Sequence, residues 1–168
     1  IEAANAWIMS KGGGIFNLAV AAAAAVRSST SAPSAISRRA MSCGCSCTTG
    51  SGTWRRNPDA MGGVRPGALA ERVKDQAEVL ARAARLVKPG GRIAYITCSV
   101  LPEENDAAIE AFLARNPGFA ALAPAGMLAS EHGDFSLLAR FATGRGLQLS
   151  PRRTGTDGFY LACVRRGD

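Results

Sequence analysis

Lys88-Pro89-Gly90-Gly91-Arg92-Ile93-Ala94-Tyr95-Ile96-Thr97-Cys98-Ser99, running on through Leu101-Pro102-Glu103-Glu104-Asn105, carries the topology of this chain. The turn residues Gly90-Gly91 close the amphipathic helix pattern that precedes them. Arg92 to Thr97 then alternates as a strand does, with Ile93, Tyr95 and Thr97 on one face and Ala94 and Ile96 on the other. Pro102-Glu103-Glu104 is a helix-opening signal. Helix, turn, strand, polar tip and helix make half of an alternating α/β unit. In open α/β sheets the chemistry sits beyond the carboxyl ends of the strands. Cys98 stands at such an end, so it is the first candidate for a nucleophile.

Outward from this stretch the pattern stays legible in both directions. Ala68 to Val87 places Leu69, Val73, Ala77, Leu80, Ala84 and Val87 three to four residues apart, with Glu71, Asp75, Glu78 and Arg82 between them, which predicts a helix. Pro102 to Arg115 predicts a second helix with Ala107, Ile109, Phe112 and Leu113 inward, closed by Asn116-Pro117-Gly118. A soft apolar stretch (Phe119 to Leu128) and a loop through Glu131 and His132 follow, and His132, the only histidine, is read as a loop residue. Gly146 to Pro151 and Phe159 to Val164 are strand patterns around the turn Thr154-Gly155-Thr156-Asp157-Gly158, and strands so joined pair antiparallel most easily. Asp157 is read there as a turn former.

Upstream the texture differs. Residues 1–49 hold Gly12-Gly13-Gly14, an alanine run over Ala21 to Ala25 and a Ser/Thr/Ala/Pro run over Ser28 to Ser37, low in complexity and without sustained period. Propensity alone allows a short helix over Ile15 to Val26. Two organisational units are therefore expected: an irregular, poorly ordered segment over 1–49 and a folded unit over 50–168.

The chain of 168 residues has room for one modest core, and its 47% apolar content excludes disorder by composition. The net charge of +7 is unevenly spread: Glu2 is the single acid before Asp59, against Lys11, Arg27, Arg38, Arg39, Arg55 and Arg56. An arginine-biased chain suits a polyanion such as RNA. Five cysteines are too few for a disulfide scaffold of this length and point to a reducing cytoplasm. No run approaches the roughly 20 apolar residues that a membrane helix requires. Arg27 at the end of the apolar run weakens a signal-peptide reading. Cys43, Cys45 and Cys47 are spaced more tightly than structural zinc ligands and have no histidine or second pair beside them, so no metal is expected.

Five stretches in order carry a resemblance: Gly52-Thr53-Trp54-Arg55-Arg56-Asn57-Pro58-Asp59, Lys88-Pro89-Gly90-Gly91-Arg92, Thr97-Cys98-Ser99, Glu103-Glu104-Asn105 and Thr154-Gly155-Thr156-Asp157-Gly158-Phe159. From about Gly50 to Arg166 the chain resembles the catalytic domain of the RNA cytosine-C5 methyltransferases of the Sun (RsmB/NOP) family. The resemblance implies an α/β fold: the C-terminal half of a Rossmann-like, S-adenosylmethionine-dependent methyltransferase domain, ending in an antiparallel hairpin. It also implies a soluble enzyme acting on RNA, ribosomal RNA above all, in the cytoplasm. Cys98 would be the nucleophile, its thiolate adding to cytosine C6 so that C5 can attack the methyl of S-adenosylmethionine. Trp54, Arg55 and Arg56 would stack on and hold RNA, although a half-buried structural role for Trp54 fits its position equally well.

Two departures from the family pattern lie upstream. Its second cysteine, which assists release, ends an Asp-Ala-Pro-Cys strand tip. Counting back from Trp54 without gaps puts Thr48 there, and Cys47 takes the role only with one residue inserted. The acidic Gly-rich loop and the acidic strand end that hold the cofactor have no counterpart in residues 1–49, which contain no aspartate and only Glu2. Cofactor-binding residues are therefore unassigned. Cys43-Gly44-Cys45-Ser46 can be encoded TGT GGA TGC TCC, which read one base later gives Val-Asp-Ala-Pro. Residues upstream of Cys47 are accordingly read as out of frame or truncated. A non-catalytic RNA-binding remnant and a non-functional fragment are the alternatives.

Overall fold

The computed structural model describes residues 18–23, 40–41, 48–56, 58–62, 65–124, 127, 129–130, 133–134 and 136–168. Its centre is β3 (Arg92–Thr97), within the bounds the alternation predicts, with Ile93, Tyr95 and Thr97 buried. On one edge β3 pairs antiparallel with β8 (Phe159–Arg166), in a register that sets Ile93 opposite Val164, Tyr95 opposite Ala162 and Thr97 opposite Tyr160. The far edge of β8 is shared by β4 (Phe119–Ala121) and β7 (Leu147–Leu149), both antiparallel. The expected hairpin is therefore present as β7 and β8, connected through the helical turn α4 (Pro151–Thr154) and left-handed Gly155. β5 (Ala129–Ser130) and β6 (Gly133–Asp134) form a separate pair.

The second edge of β3 takes β1 (Leu18–Ala23), again antiparallel, and β1 in turn takes β2 (Ala40–Met41). The helix that propensity allows over Ile15 to Val26 is thus a strand over 18–23. An open edge presents unpaired N–H and C=O groups, and satisfying them outweighs the modest helical preference of alanine. Among the described residues every strand pairing of the sheet is antiparallel. The parallel half of a Rossmann-like sheet is not formed by them.

One face of β3 and β8 is covered by two helices. α1 (Asp59–Gly62) is a single turn in the loop ahead of them. α2 (Ala68–Leu86) buries Gln76, Val79, Leu80, Ala83 and Ala84, a stripe that includes Leu80 and Ala84 of the sequence pattern and widens it by one position on each turn. α2 ends earlier than the glycines suggest. Val87 is already extended, because Pro89 forces the chain out of helical geometry, and Gly90 at φ 72° then shapes the turn into β3.

The second helix is also shorter than its pattern. Pro102–Glu104 is a 3-10 turn, Asn105 breaks it at φ −116° and ψ −104°, and α3 runs from Asp106 to Arg115. α3 buries Ala108, Ile109 and Phe112, while Ala107, expected inward, is exposed. Starting four residues later than the predicted helix turns the inward face by one position at its beginning. These side chains close the core with Tyr95, Tyr160, Ala162 and Val164, and edge-to-face ring pairs join Tyr95 to Tyr160 (6.2 Å) and Phe112 to Phe119 (5.2 Å).

Asp106, the first residue of α3, accepts the Tyr160 hydroxyl (2.7 Å), the Thr143 hydroxyl (2.9 Å) and the Arg145 backbone N–H (3.0 Å). A carboxylate in the first turn is favoured by the helix dipole, and here it also fixes the loop that delivers β7. Burial pushes the Tyr95 and Tyr160 hydroxyls far above their usual range, with Glu104 adding to the first and Asp106 to the second, so both remain donors.

Candidate active site

Cys98 follows directly on the last residue of β3 and is 7% exposed. Three of the segments singled out in the sequence meet there. The Gly52 backbone N–H donates to the Cys98 carbonyl oxygen (3.0 Å), and the Gly158 N–H donates to the Gly52 carbonyl oxygen (2.9 Å). Residues far apart in sequence are thus stitched together by main-chain bonds, and Gly52 and Gly158 touch backbone to backbone.

The same convergence brings charges to the thiol. Asp157, whose side chain is 10% exposed, pairs with the Arg56 guanidinium and lies 3.8 Å from that of Arg55. The arginine heads are themselves exposed, at 55% and 65%. Asp157 is therefore more than a turn former: it anchors the arginines of the upstream loop. The hydrogen-bonded carboxylate holds the Arg56 guanidinium still higher than its ordinary range. Trp54, in the turn between these elements, is half-buried, and its indole Nε1 is buried with no hydrogen-bond partner among the described residues.

The Cys98 thiol is pushed up from 9.0 to about 11, by burial first and by the Asp157 charge second, with Arg56 pulling the other way. A helix N-terminus next to the strand tip would favour the thiolate instead. The structure separates them: α3 begins at Asp106, beyond the 3-10 turn, and desolvation dominates. Folding favours the protonated thiol, so this group's contribution to stability is complete below pH 9 and is lost as the pH rises through about 11. Alkylation of Cys98 in the folded chain, followed by peptide mapping, is expected to accelerate about tenfold per pH unit between pH 7 and 10 without a plateau. A plateau near pH 8 would show that the thiolate is already formed.

The polar residues behind the tip escaped sequence reasoning as functional groups. Thr97 Oγ1 donates to Asn105 Oδ1 (2.7 Å), and Asn105 Nδ2 donates to the Ser99 carbonyl oxygen (3.0 Å) and to Gln148 Oε1 (2.8 Å). Ser99 Oγ donates to Glu104 Oε2 (2.5 Å). The Glu103-Glu104-Asn105 stretch was visible as a motif, but its reading as a helix start hid the fact that Glu104 and Asn105 turn inward. Position 48, where the ungapped count looks for the second cysteine, is a buried threonine. Cys43, Cys45, Cys47 and His132 lie outside the described residues. Among those described, no group of His, Cys, Asp or Glu could hold a metal ion, and no helix is long and apolar enough to cross a membrane.

A family model described as 16S rRNA methyltransferase RsmB/F matches residues 23–165. The chain belongs to this family. Ribosomal RNA small subunit methyltransferase B of Sodalis glossinidius is 41% identical over 118 residues, which are 70% of this chain and 23% of that protein. The protein of the same name from Thermus thermophilus is 35% identical over 118 residues, covering 70% of this chain and 27% of its own length. Among solved structures, the crystal structure of PH0851 matches 71% of this chain and 25% of its own, with 36% identity and a TM-score of 0.58. The chain thus spans about a quarter of the length of the curated relatives it matches.

As an RsmB/F member the chain would be expected to hold S-adenosylmethionine, and its described residues do not fit that cofactor. A carboxylate for the ribose and a Gly-rich turn after a strand are the groups such a site requires. At the β3 tip Glu104 is engaged in buried hydrogen bonds and Asp157 with the arginines. Gly90-Gly91 lies at the other end of the strand.

Proposed function

We propose that this chain is the nucleophile-bearing, C-terminal part of the catalytic domain of a ribosomal RNA cytosine-C5 methyltransferase, working in the cytoplasm, with Cys98 as the attacking group. The observation that carries this reading is the convergence of the Gly52, Cys98 and Gly158 segments, the family-like stretches, on one buried cysteine beside the Arg56–Asp157 pair.

In this reading a target cytosine leaves its stack, because C6 cannot be reached within a helix. Asp157 holds the Arg55 and Arg56 guanidinium groups from one side, their exposed remaining N–H groups reach phosphates, and Trp54 supplies the adjoining aromatic surface. Cys98 gives its proton to solvent, and its thiolate forms a bond to C6 as the C5–C6 double bond opens and places the electron pair on C5. After C5 has been alkylated, loss of its proton breaks the C6–S bond and frees the thiolate. Cys47 remains the candidate for assisting that release.

The methyl group must come from a donor that the described residues do not fit, so no step here passes through it. The chain alone is accordingly expected to give no saturable heat in calorimetric titration with S-adenosylmethionine, and a clear binding isotherm would contradict this. Residues 1–49, irregular in sequence, are proposed to stand where the cofactor half of the domain belongs. The functional test is a graft: the 118 residues of this chain that align with the Thermus thermophilus relative replace their counterparts in it. Formation of 5-methylcytosine in small-subunit ribosomal RNA by the graft supports the reading. A folded graft that binds RNA and S-adenosylmethionine without methylating would favour the non-catalytic alternative.

A further inference from the structure

Glu104 is completely buried, and among the described residues it forms no ion pair. Its carboxyl group instead gathers four donors. Oε1 accepts the Thr49 backbone N–H (2.7 Å) and Gln76 Nε2 (3.2 Å); Oε2 accepts the hydroxyls of Thr49 (2.6 Å) and Ser99 (2.5 Å). Four donors on two oxygens match the acceptor capacity of an ionised carboxyl group. The Glu104 backbone carbonyl is occupied as well, by the Tyr95 hydroxyl at 2.7 Å.

This arrangement fixes directions as well as positions. Ser99 has one hydroxyl hydrogen and gives it to Glu104. In the 3.0 Å contact between Ser51 and Ser99, Ser51 must therefore be the donor. Ser99 Oγ also accepts the Leu101 N–H, and Ser51 Oγ accepts the Val100 N–H, each at 3.0 Å. The hydroxyls form a one-way chain ending on Glu104, and such a chain polarises its members. It joins Ser99, which follows Cys98, and Ser51, which precedes Gly52, to Gln76 of α2.

We propose that Glu104 is a positioning residue for Cys98, its carboxyl group setting the spacing between the Cys98 strand tip and the 48–51 segment that leads into the Gly52 loop. The proposal rests on the reading of Cys98 as the nucleophile, since only then does the spacing matter to a reaction. An amide cannot replace the carboxyl group in this role. One of its two ends is a donor, and the Thr49 backbone N–H on the Oε1 side cannot reverse. The amide nitrogen must face the Ser99 and Thr49 hydroxyls, so Ser99 has to turn its hydrogen away and the one-way chain is broken. Purely structural burial would be lost with the whole fold; loss of positioning loosens the tip alone.

The full chain contains its own internal reference for this distinction. Cys163 lies in β8, is half-buried, and like Cys98 has its thiol raised by burial. Iodoacetamide labelling at fixed pH, resolved by peptide mass mapping, reads both cysteines in one sample. Glu104→Gln is expected to speed alkylation of Cys98 roughly tenfold, the scale of one lost hydrogen bond, while leaving Cys163 at its parent rate. Ser99→Ala, which removes the strand-tip link to Glu104 together with the Ser51 and Leu101 contacts, is expected to do the same, and adding Glu104→Gln to it to produce little further change. Equal acceleration of both cysteines, or no change at Cys98 in either variant, would overturn the proposal. These labelling rates do not depend on methyl transfer. A failure of Glu104 to position Cys98 is therefore distinguishable from a failure of Cys98 as nucleophile, which the methylation assay reads.

Discussion

Gly52→Ala should lower the melting temperature of the chain by about 10 °C or more. A methyl carbon built on Gly52 would stand 1.9 Å from the Gly158 carbonyl oxygen and 2.6 Å from its carbon. Neither atom belongs to a side chain that could swing aside. The reverse substitution meets the same wall, since a Cβ on Gly158 would lie 2.6 Å from the Gly52 Cα and from Val100 Cγ1. Relief requires the two loops to separate, which breaks the Gly52–Cys98 and Gly158–Gly52 main-chain bonds. Overpacking plus two strained hydrogen bonds amounts to about 3–5 kcal/mol, equivalent to roughly 10 °C in a domain of this size. Gly118→Ala is the matched control, with nothing within 4 Å of its added carbon, and should melt close to the parent. Equal melting of the Gly52 and Gly118 variants by circular dichroism would mean that the loops do not meet at Cys98.

Cys98→Ser should reduce 5-methylcytosine formation by the grafted domain by at least roughly 10³-fold, because a covalent route is removed entirely. Serine keeps the size of the side chain and exchanges a thiol for a hydroxyl that is far less acidic. It cannot add to C6 without a strong base, and Asp157, the carboxylate whose charge acts on this position, is held by arginines. RNA affinity should stay within about twofold, since the substitution touches no exposed cation and surface contributions near the tip are unchanged. Loss of activity together with loss of RNA binding would instead indicate a collapsed tip.

What could be read before the structure follows a physical dividing line. β3 was legible to the residue because strict alternation flanked by Gly-Gly and a polar tip leaves one register. The stripe of α2 was legible for the same reason, with a period of 3.6 sustained over many turns. Phe119–Ala121 was not, since three residues are too few to show a period, and it becomes a strand only because β8 offers an edge. The break at Asn105 was hidden because Pro, Glu and Asp are equally at home in a 3-10 turn and in a first helical turn.

The site divides in the same way. Cys98 could be placed by its position at a strand end. The stitching by Gly52 and Gly158, and the gathering of Thr49, Gln76 and Ser99 on Glu104, connect segments far apart in the chain and leave no local period to read. The pairing of Asp157 with Arg56 belongs with them. Composition revealed the charge excess but not which carboxylate holds which arginine.

The most direct measurement of the central claim is the identity of the residue that bonds to the base. An RNA carrying 5-azacytosine keeps its adduct, because nitrogen at position 5, once alkylated, has no proton to lose and the C6–S bond cannot be expelled. Digestion of the graft after reaction with such an RNA, followed by mass mapping, should place the nucleotide mass on the peptide containing Cys98. Its appearance on any other cysteine, or its persistence in Cys98→Ser, would contradict the assignment.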